Sequence, residues 1–181
     1  GPGMILDANG PLLELLIAEH RLELVERHHV PDQLDPLIAA IERLSEKVDL
    51  LILTGGVSAG DYDCVGEALR QMRYTIHFDA VSVQPGKPLT LASCDEQIVL
   101  GLPGNPVSVL SGFYLHVLRA VAHRIQGKVE ARTVELPLET AYERRRGGRA
   151  GFVPCRLTEK GTLLPIEYHG SAHLLALSRS D

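Results

Sequence analysis

The residues most able to do chemistry form a turn between an apolar run and a long helical pattern. Asn105 is a good N-cap residue, and Pro106 fits the first helical turn because it has no N–H to leave unpaired there. Ser108 then lies beside unpaired backbone amides at the positive end of the helix dipole. We expect a phosphate or another oxyanion to bind at this turn, Gly101-Leu102-Pro103-Gly104-Asn105-Pro106-Val107-Ser108. A plain strand-to-helix turn is the alternative interpretation of the same residues.

A second loop, residues 55–63, follows another apolar run. Three glycines, Gly55, Gly56 and Gly60, surround Ser58 and would let a flat or phosphorylated ligand approach the backbone closely. Asp61 and Asp63 lie in the same loop and have the oxygen atoms that suit Mg²⁺ or a hydrogen bond to a heterocycle. For Asp63 the alternative is that it only caps the helix that follows.

Two cationic features complete the candidate anion site. Lys87 lies in the loop Gln84-Pro85-Gly86-Lys87-Pro88, whose prolines restrict where the side chain can point and so favour anion binding over simple solvation. A local basic patch follows in an otherwise acidic chain: Arg144, Arg145, Arg146 and Arg149. This patch is either a solvated loop or a second contribution to the same anion site.

The elements that must position these loops alternate between helix and strand. Hydrophobic spacing and turn residues predict helices over residues 9–20, 33–47, 63–72 and 106–126, with Asn9 or Gly10 capping the first. They predict strands over residues 22–30, 49–54, 75–83, 89–93 and 97–102, the last two forming a hairpin. We therefore predict an α/β fold of three layers, a mostly parallel sheet with helices on both faces. Ligands of such sheets bind outside the carboxyl ends of the strands, where these loops lie.

Past Gly127 the pattern changes to a small all-β module. Strands are predicted over residues 132–138, 151–157 and 161–168, with a basic, glycine-rich loop over 142–148. The module has no obvious closing element, so we expect it to be truncated.

Composition excludes several classes of protein. The chain has 181 residues, of which 45% are hydrophobic, but no apolar run of about 18 residues that could span a membrane. Its net charge of -5, its 4% aromatic content and its lack of tryptophan argue against a nucleic-acid partner. The three distant cysteines, Cys64, Cys94 and Cys155, suit a reducing compartment, so we expect a cytoplasmic protein.

Four motifs in this order and spacing resemble the MoeA-type molybdopterin molybdenumtransferases, a family that includes the gephyrin E domain. They are Asp7-Ala8-Asn9-Gly10, the loop from Thr54 to Asp63, Pro85-Gly86-Lys87-Pro88, and the turn from Gly101 to Ser108. The resemblance divides the chain into residues 1–3, which look like a tag remnant, a molybdopterin-binding domain over 4–128 that is similar to MogA, and the start of a C-terminal β domain over 129–181.

The resemblance implies the insertion of molybdenum from molybdate into adenylylated molybdopterin, with Mg²⁺ and release of AMP. It makes Asp61, Asp63 and Lys87 catalytic residues. Of these, Asp61 and Asp63 lie at the pterin or metal end and bind the metal. Lys87, Ser108, Arg149 and Ser171 would bind molybdate. The residues expected to bind the pterin cofactor are Asp7, Gly55, Gly56, Ser58, Gly60, Pro103, Gly104, Asn105 and Ser108.

The chain also departs from this family. A strand ending in Thr-Gly-Asp-Glu-Leu is expected before Asp7, and two further N-terminal domains are missing, so we expect a fragment that forms a homodimer or associates with the missing N-terminal portion. Two alternatives remain open. One is the adenylyltransferase that shares the pterin-binding fold, and the other is a non-catalytic pterin-binding or scaffolding module.

Overall fold

The computed structural model describes residues 7–56, 64–127, 134–143, 148–166 and 180. The helices are α1 (Asn9–Glu19), α2 (Leu34–Ser45), α3 (Cys64–Gln71), α4 (Pro106–Gly112) and α5 (Leu118–Arg124), with a π-helical turn (Phe113–Val117) between the last two. The strands are β1 (Leu50–Thr54), β2 (Thr75–Ala80), β3 (Val83–Gln84), β4 (Pro88–Cys94), β5 (Gln97–Leu102), β6 (Ala150–Gly151), β7 (Cys155–Leu157) and β8 (Leu163–Pro165).

The central sheet has the strand order β1-β5-β4-β2. Strands β1 and β5 are parallel and in register from Leu50 opposite Ile98 to Thr54 opposite Leu102. The expected hairpin is present, because β4 and β5 pair antiparallel around Asp95 and Glu96. Strand β2 also pairs antiparallel with β4. The α/β class is confirmed, and among the described strands the sheet is mixed, with its parallel pair where the ligand loops begin.

Two hydrophobic clusters cover opposite faces of this sheet. Side chains of a strand alternate between faces, so Val99 packs into one cluster and Leu100 into the other. Helices α2 and α3 supply the first cluster through Ile41 and Leu69. Helix α1 and the helix from Pro106 supply the second, in which Phe113 is fully buried. The three-layer arrangement predicted from the apolar patterns is therefore confirmed.

The long helix predicted over residues 106–126 is interrupted. It begins at Pro106 with Asn105 at the N-cap position, as expected, but the Asn105 side chain makes no capping hydrogen bond. The π-helical turn adds a residue to one turn while Phe113 and Val117 both stay buried against the sheet. Gln126 then takes a left-handed conformation (φ 52°) just before Gly127, where the helix was expected to stop.

The strand predicted over residues 22–30 is wrong. The segment is irregular, and Leu24 and Val25 are exposed instead of packing against a sheet. Charged contacts hold it to the surface: Glu26 lies within 3.4 Å of both Arg43 and Lys47. A hydrogen bond with His28 is the main cause of the lowered pKa of Glu26.

The described strands of the β module are shorter than expected. Residues 134–137 are irregular, with one isolated bridge from Leu138 to Leu163, and β7 and β8 form a short antiparallel ladder. The strand predicted over 75–83 ends at Ala80, and β3 instead pairs in parallel with β6. The division at residues 128 and 129 stays a prediction.

Candidate functional site

The loops that follow β1 and β5 lie against each other at the carboxyl end of the parallel pair. The Gly55 amide donates to the Leu102 carbonyl at 3.3 Å. A methyl group on Gly104 would lie 3.7 Å from Gly55 Cα, so the two turns are in van der Waals contact. Gly55 and Gly56 have φ of 84° and 66°, a backbone conformation that favours glycine. The structure thus brings together three of the residues predicted to bind the pterin.

The start of α1 also contacts this edge of the sheet. Asn9 does not cap α1 as predicted; its side-chain amide reaches Thr54 and Gly104 instead. The N-cap position belongs to Ala8, and the Asp7 carboxylate accepts a hydrogen bond from the Gly10 amide at 3.0 Å. Asp7 therefore organises the first turn of α1, and its predicted contact with a ligand stays a prediction.

The Lys87 loop lies against the first turn of α4. Gly86 has a φ of 100°, and a methyl group on it would lie 3.8 Å from the Ser108 carbonyl oxygen. The Val81 amide donates to the Lys87 carbonyl at 2.9 Å and so ties the loop to the strand before it. The Lys87 side chain is exposed and forms no ion pair with a described carboxylate.

Ser108 is more enclosed than the sequence implied, since only 2% of its surface is exposed. Pro103 is buried as well, while Gly104 and Asn105 are exposed at the mouth of the turn. A ligand at this turn would therefore meet the exposed backbone of Gly104 and Asn105, and the predicted contact with the Ser108 hydroxyl stays a prediction.

The β module pairs with the segment that leads into the Lys87 loop, at the strand that follows Arg149. Strands β3 and β6 pair through hydrogen bonds from the Ala150 amide to the Ser82 carbonyl (3.0 Å) and from the Phe152 amide to the Gln84 carbonyl (2.8 Å). Arg149 directly precedes β6, and Ser82, to which the Ala150 amide bonds, directly follows Val81, whose amide donates to the Lys87 carbonyl. Lys87 and Ala150, the residue after Arg149, therefore both bond to the backbone of residues 81–82, although Lys87 and Arg149 lie 62 positions apart in the chain.

Several predicted site residues lie outside the described residues: Ser58, Gly60, Asp61, Asp63 and Ser171. Within the described ranges, no group of three His, Cys, Asp or Glu side chains is placed to hold a metal ion. Because both predicted magnesium ligands are among the residues not described, the Mg²⁺ site stays a prediction. The described helices include none that is long and apolar enough to cross a membrane.

Two charged residues near the site were missed by the sequence analysis. A methyl group on Gly56 would lie 3.7 Å from Asp32 Oδ1, which places this carboxylate beside the glycine turn. A methyl group on Gly10 would lie only 2.5 Å from Arg27 Nη1 and from Asp7 Oδ2. The position of Asp32 just before the helix predicted over residues 33–47 indicates only a helix start. Arg27 gave no signal, because its segment was expected to form a strand.

The chain is similar to proteins of molybdenum cofactor synthesis. Residues 1–123 match the family described as "Probable molybdopterin binding domain". Over 121 residues, or 67% of the chain, it is 36% identical to a molybdopterin molybdenumtransferase of Staphylococcus aureus and spans 29% of that protein. Over 120 residues it is 37% identical to the molybdenum cofactor synthesis protein cinnamon of Drosophila melanogaster and spans 20% of its length.

A solved structure has the same fold over the whole chain. The molybdopterin biosynthesis MoeA protein of Pyrococcus horikoshii superposes with a TM-score of 0.77 at 23% identity, covering 100% of this chain and 44% of that one. At this level of identity the likeness concerns the fold alone, and it includes the short strands of the β module.

Proposed function

The chain belongs to the family of probable molybdopterin-binding domains, and from this premise we propose that it acts in the insertion of molybdenum from molybdate into adenylylated molybdopterin, with release of AMP. In this proposal the pterin phosphate lies at the turns formed by Gly55, Gly56 and Gly104. Molybdate lies beside Lys87, Arg149 and the start of α4, and Ser171 would add to its ligands.

One observation carries the proposal: the Lys87 loop contacts the first turn of α4, and β3, which leads into this loop, pairs with β6, the strand that directly follows Arg149. A methyl group on Gly86 would be 3.8 Å from the Ser108 carbonyl on one side. On the other side, β3 pairs with β6. Three segments with separate reasons to attract an anion therefore meet, although they come from distant parts of the chain.

The chemistry of the substrates fits this arrangement. Molybdate and the phosphates of adenylylated molybdopterin are oxyanions, which gain most from cationic side chains and from helix-start amides aimed at one volume. Release of AMP leaves additional negative charge on a phosphate, and fixed cations stabilise charge that develops in this way. Lys87 and Arg149 would therefore lower the cost of both binding and release.

Magnesium is part of the proposal only through residues that the structure does not describe. Asp61 and Asp63 would hold it with carboxylate oxygens, the ligands that Mg²⁺ prefers, and the ion would neutralise phosphate charge. The chain spans less than a third of the length of the relatives to which it is similar. We also propose that the protein works as a homodimer or together with an N-terminal portion.

The test is the affinity of the chain for molybdate, measured by titration calorimetry with Lys87→Ala. We expect binding to weaken about 10- to 100-fold, because a hydrogen bond to a charged group contributes roughly 1.5–3 kcal/mol. The melting temperature should stay nearly unchanged, since the Lys87 side chain is exposed and its backbone contacts remain.

Lys160→Ala is the matched control, because this exposed lysine pairs with Glu139 in the β module and has no proposed role in binding. Equal molybdate affinity for both variants and the wild type would contradict the proposal. Binding of a pterin with consumption of ATP, but without any effect of molybdate, would instead indicate an adenylyltransferase. A module that binds no pterin at all would be a scaffold.

A further inference from the structure

Asn9 is the first residue of α1, yet its side chain bonds to two other segments. Its Nδ2 group donates to Thr54 Oγ1 at 2.9 Å and to the Gly104 carbonyl at 2.8 Å. Thr54 ends β1, and Gly104 lies between β5 and α4, so these partners are 45 and 95 positions away in the chain. Both hydrogens of one amide group therefore link three segments.

The linked segments are the ones that form the candidate ligand turns. Thr54 directly precedes the glycine turn at Gly55, and Gly104 directly precedes the N-cap of α4. The side chain of Asn9 thus spans the line of contact at which the turns after β1 and β5 meet. A change at Asn9 would alter the spacing of the two turns without removing any residue of either one.

Stability alone does not explain this arrangement. The Oδ1 atom of Asn9 is buried and has no hydrogen-bond partner among the described residues, which costs free energy in a folded protein. Thr54 and Gly104 are both exposed, so water would satisfy their oxygens if Asn9 were truncated. The hydrogen bonds of Asn9 therefore add little to stability, because water could replace them, whereas its unpaired buried oxygen costs stability.

We propose that Asn9 is a positioning residue for the oxyanion ligand: it holds the glycine turn after β1 at a set distance from the start of α4, at a cost in stability. The inference rests on the proposed function for the identity of the ligand, but not for the positioning itself. Asn9 acts through the Thr54 and Gly104 groups, and no contact with the ligand is required of it.

The experiment compares Asn9→Ala and Asn9→Asp with Leu15→Ala, an exposed position on the same helix. Asn9→Ala removes the link. Asn9→Asp keeps the shape but replaces the donor with an acceptor that faces the Gly104 carbonyl. We expect both Asn9 variants to weaken molybdate binding at least about tenfold, because small displacements of a binding group cost large factors. The melting temperature of Asn9→Ala should match that of Leu15→Ala.

A partner variant separates positioning from other roles. Thr54→Val removes one of the two acceptors, and the combined Asn9→Ala, Thr54→Val variant should bind molybdate no more weakly than Asn9→Ala alone. Fully additive losses would overturn the proposal. So would unchanged affinity in Asn9→Ala, or a large fall in melting temperature with unchanged affinity of the folded fraction.

A second measurement needs no ligand. The Gly55 amide, which donates to Leu102, should exchange its hydrogen faster in Asn9→Ala than in Leu15→Ala, because the turns are then less restrained. Equal exchange rates would overturn the proposal whether or not molybdate binds. If the wild type does not bind molybdate but exchange quickens as expected, the proposed function fails and the positioning by Asn9 stands.

Discussion

At the scale of single residues, the conformation of Gly86 sets the position of the Lys87 loop. Its φ of 100° is a conformation that residues with a Cβ avoid, and its open side lets the Lys87 loop approach the Ser108 carbonyl. The charge of Lys87 is then carried by a loop whose direction is set by glycine and proline. If Lys87 binds an anion as proposed, its restrained backbone limits the directions from which it can do so.

His116 gives a residue-scale prediction on pH. Burial, followed by the charge of Arg119, lowers its pKa below the ordinary 6.5, and its Nε2 is buried without a hydrogen-bond partner in the part of the chain that the structure describes. The unfolded chain takes up the proton first, so this contribution to stability is complete above pH 6.5 and is lost as the pH falls toward the folded-state pKa. We expect His116→Leu to flatten the fall in melting temperature between about pH 7.5 and 5.5.

The effect has an upper bound. One group with an unfolded pKa near 6.5 can contribute no more than about 1.4 kcal/mol at pH 5.5, or roughly 3–5 °C in a domain of this size. His123→Leu, which changes an exposed histidine of α5, serves as the control. If both variants follow the pH profile of the wild type, the protonation of His116 does not limit stability in this range.

At the scale of elements, the two-residue strands β3 and β6 matter more than their length indicates. Their pairing joins the α/β part to the β module and holds the residue after Arg149 against Ser82, in the segment that leads into the Lys87 loop. Such a short ladder contributes little to stability by itself. Its role is to set the relative position of two segments that local sequence would leave independent.

Ala150→Pro tests this role. Proline has no N–H, so the bond from residue 150 to the Ser82 carbonyl is lost while both modules keep their own contacts. We expect molybdate affinity to fall about tenfold, close to the effect of Arg149→Ala, with a change in the free energy of unfolding near 1 kcal/mol. Ala141→Pro, at an exposed position outside the strands, is the control. Full affinity in Ala150→Pro would show that Arg149 does not need the β3–β6 pair.

At the scale of the whole molecule, the two edges of the central sheet differ. Among the described strands, β5 is the sole neighbour of β1, so the described residues supply no partner for the backbone groups on the other side of this apolar strand. Strand β2 forms the other edge, and its register with β4 is broken at Phe78, an irregularity that discourages further pairing.

The chain should therefore self-associate through β1. Sedimentation velocity should show a rising fraction of dimers or larger species as the concentration increases, because a strand edge without a neighbouring strand is a template for pairing. Phe78→Lys, on the β2 edge, should leave this behaviour unchanged. A monomer at every concentration, or a monomer produced by Phe78→Lys alone, would contradict the assignment of the contact to β1.

The sequence by itself determined the order and type of most helices and strands. The apolar runs at 49–54 and 97–102, and the helical spacing in 33–47, are local patterns that burial on one or two faces dictates. The same patterns placed Gly55 and Lys87 in loops at strand ends and Ser108 in the first turn of a helix. The periodicity of residues 22–30 gave a wrong prediction of a strand. Apolar and charged residues also alternate in this irregular surface segment, which ion pairs hold in place.

Only the tertiary structure decided which distant groups meet. Nothing local in the chain says that Asn9 bonds to Thr54 and Gly104, that Asp32 lies beside Gly56, or that the strand after Arg149 pairs with β3. Those contacts follow from strand order and register, which are set by how two hydrophobic clusters fill the faces of one sheet. Periodicity reports which face of an element is buried, whereas the neighbour of that element depends on the packing of the whole chain.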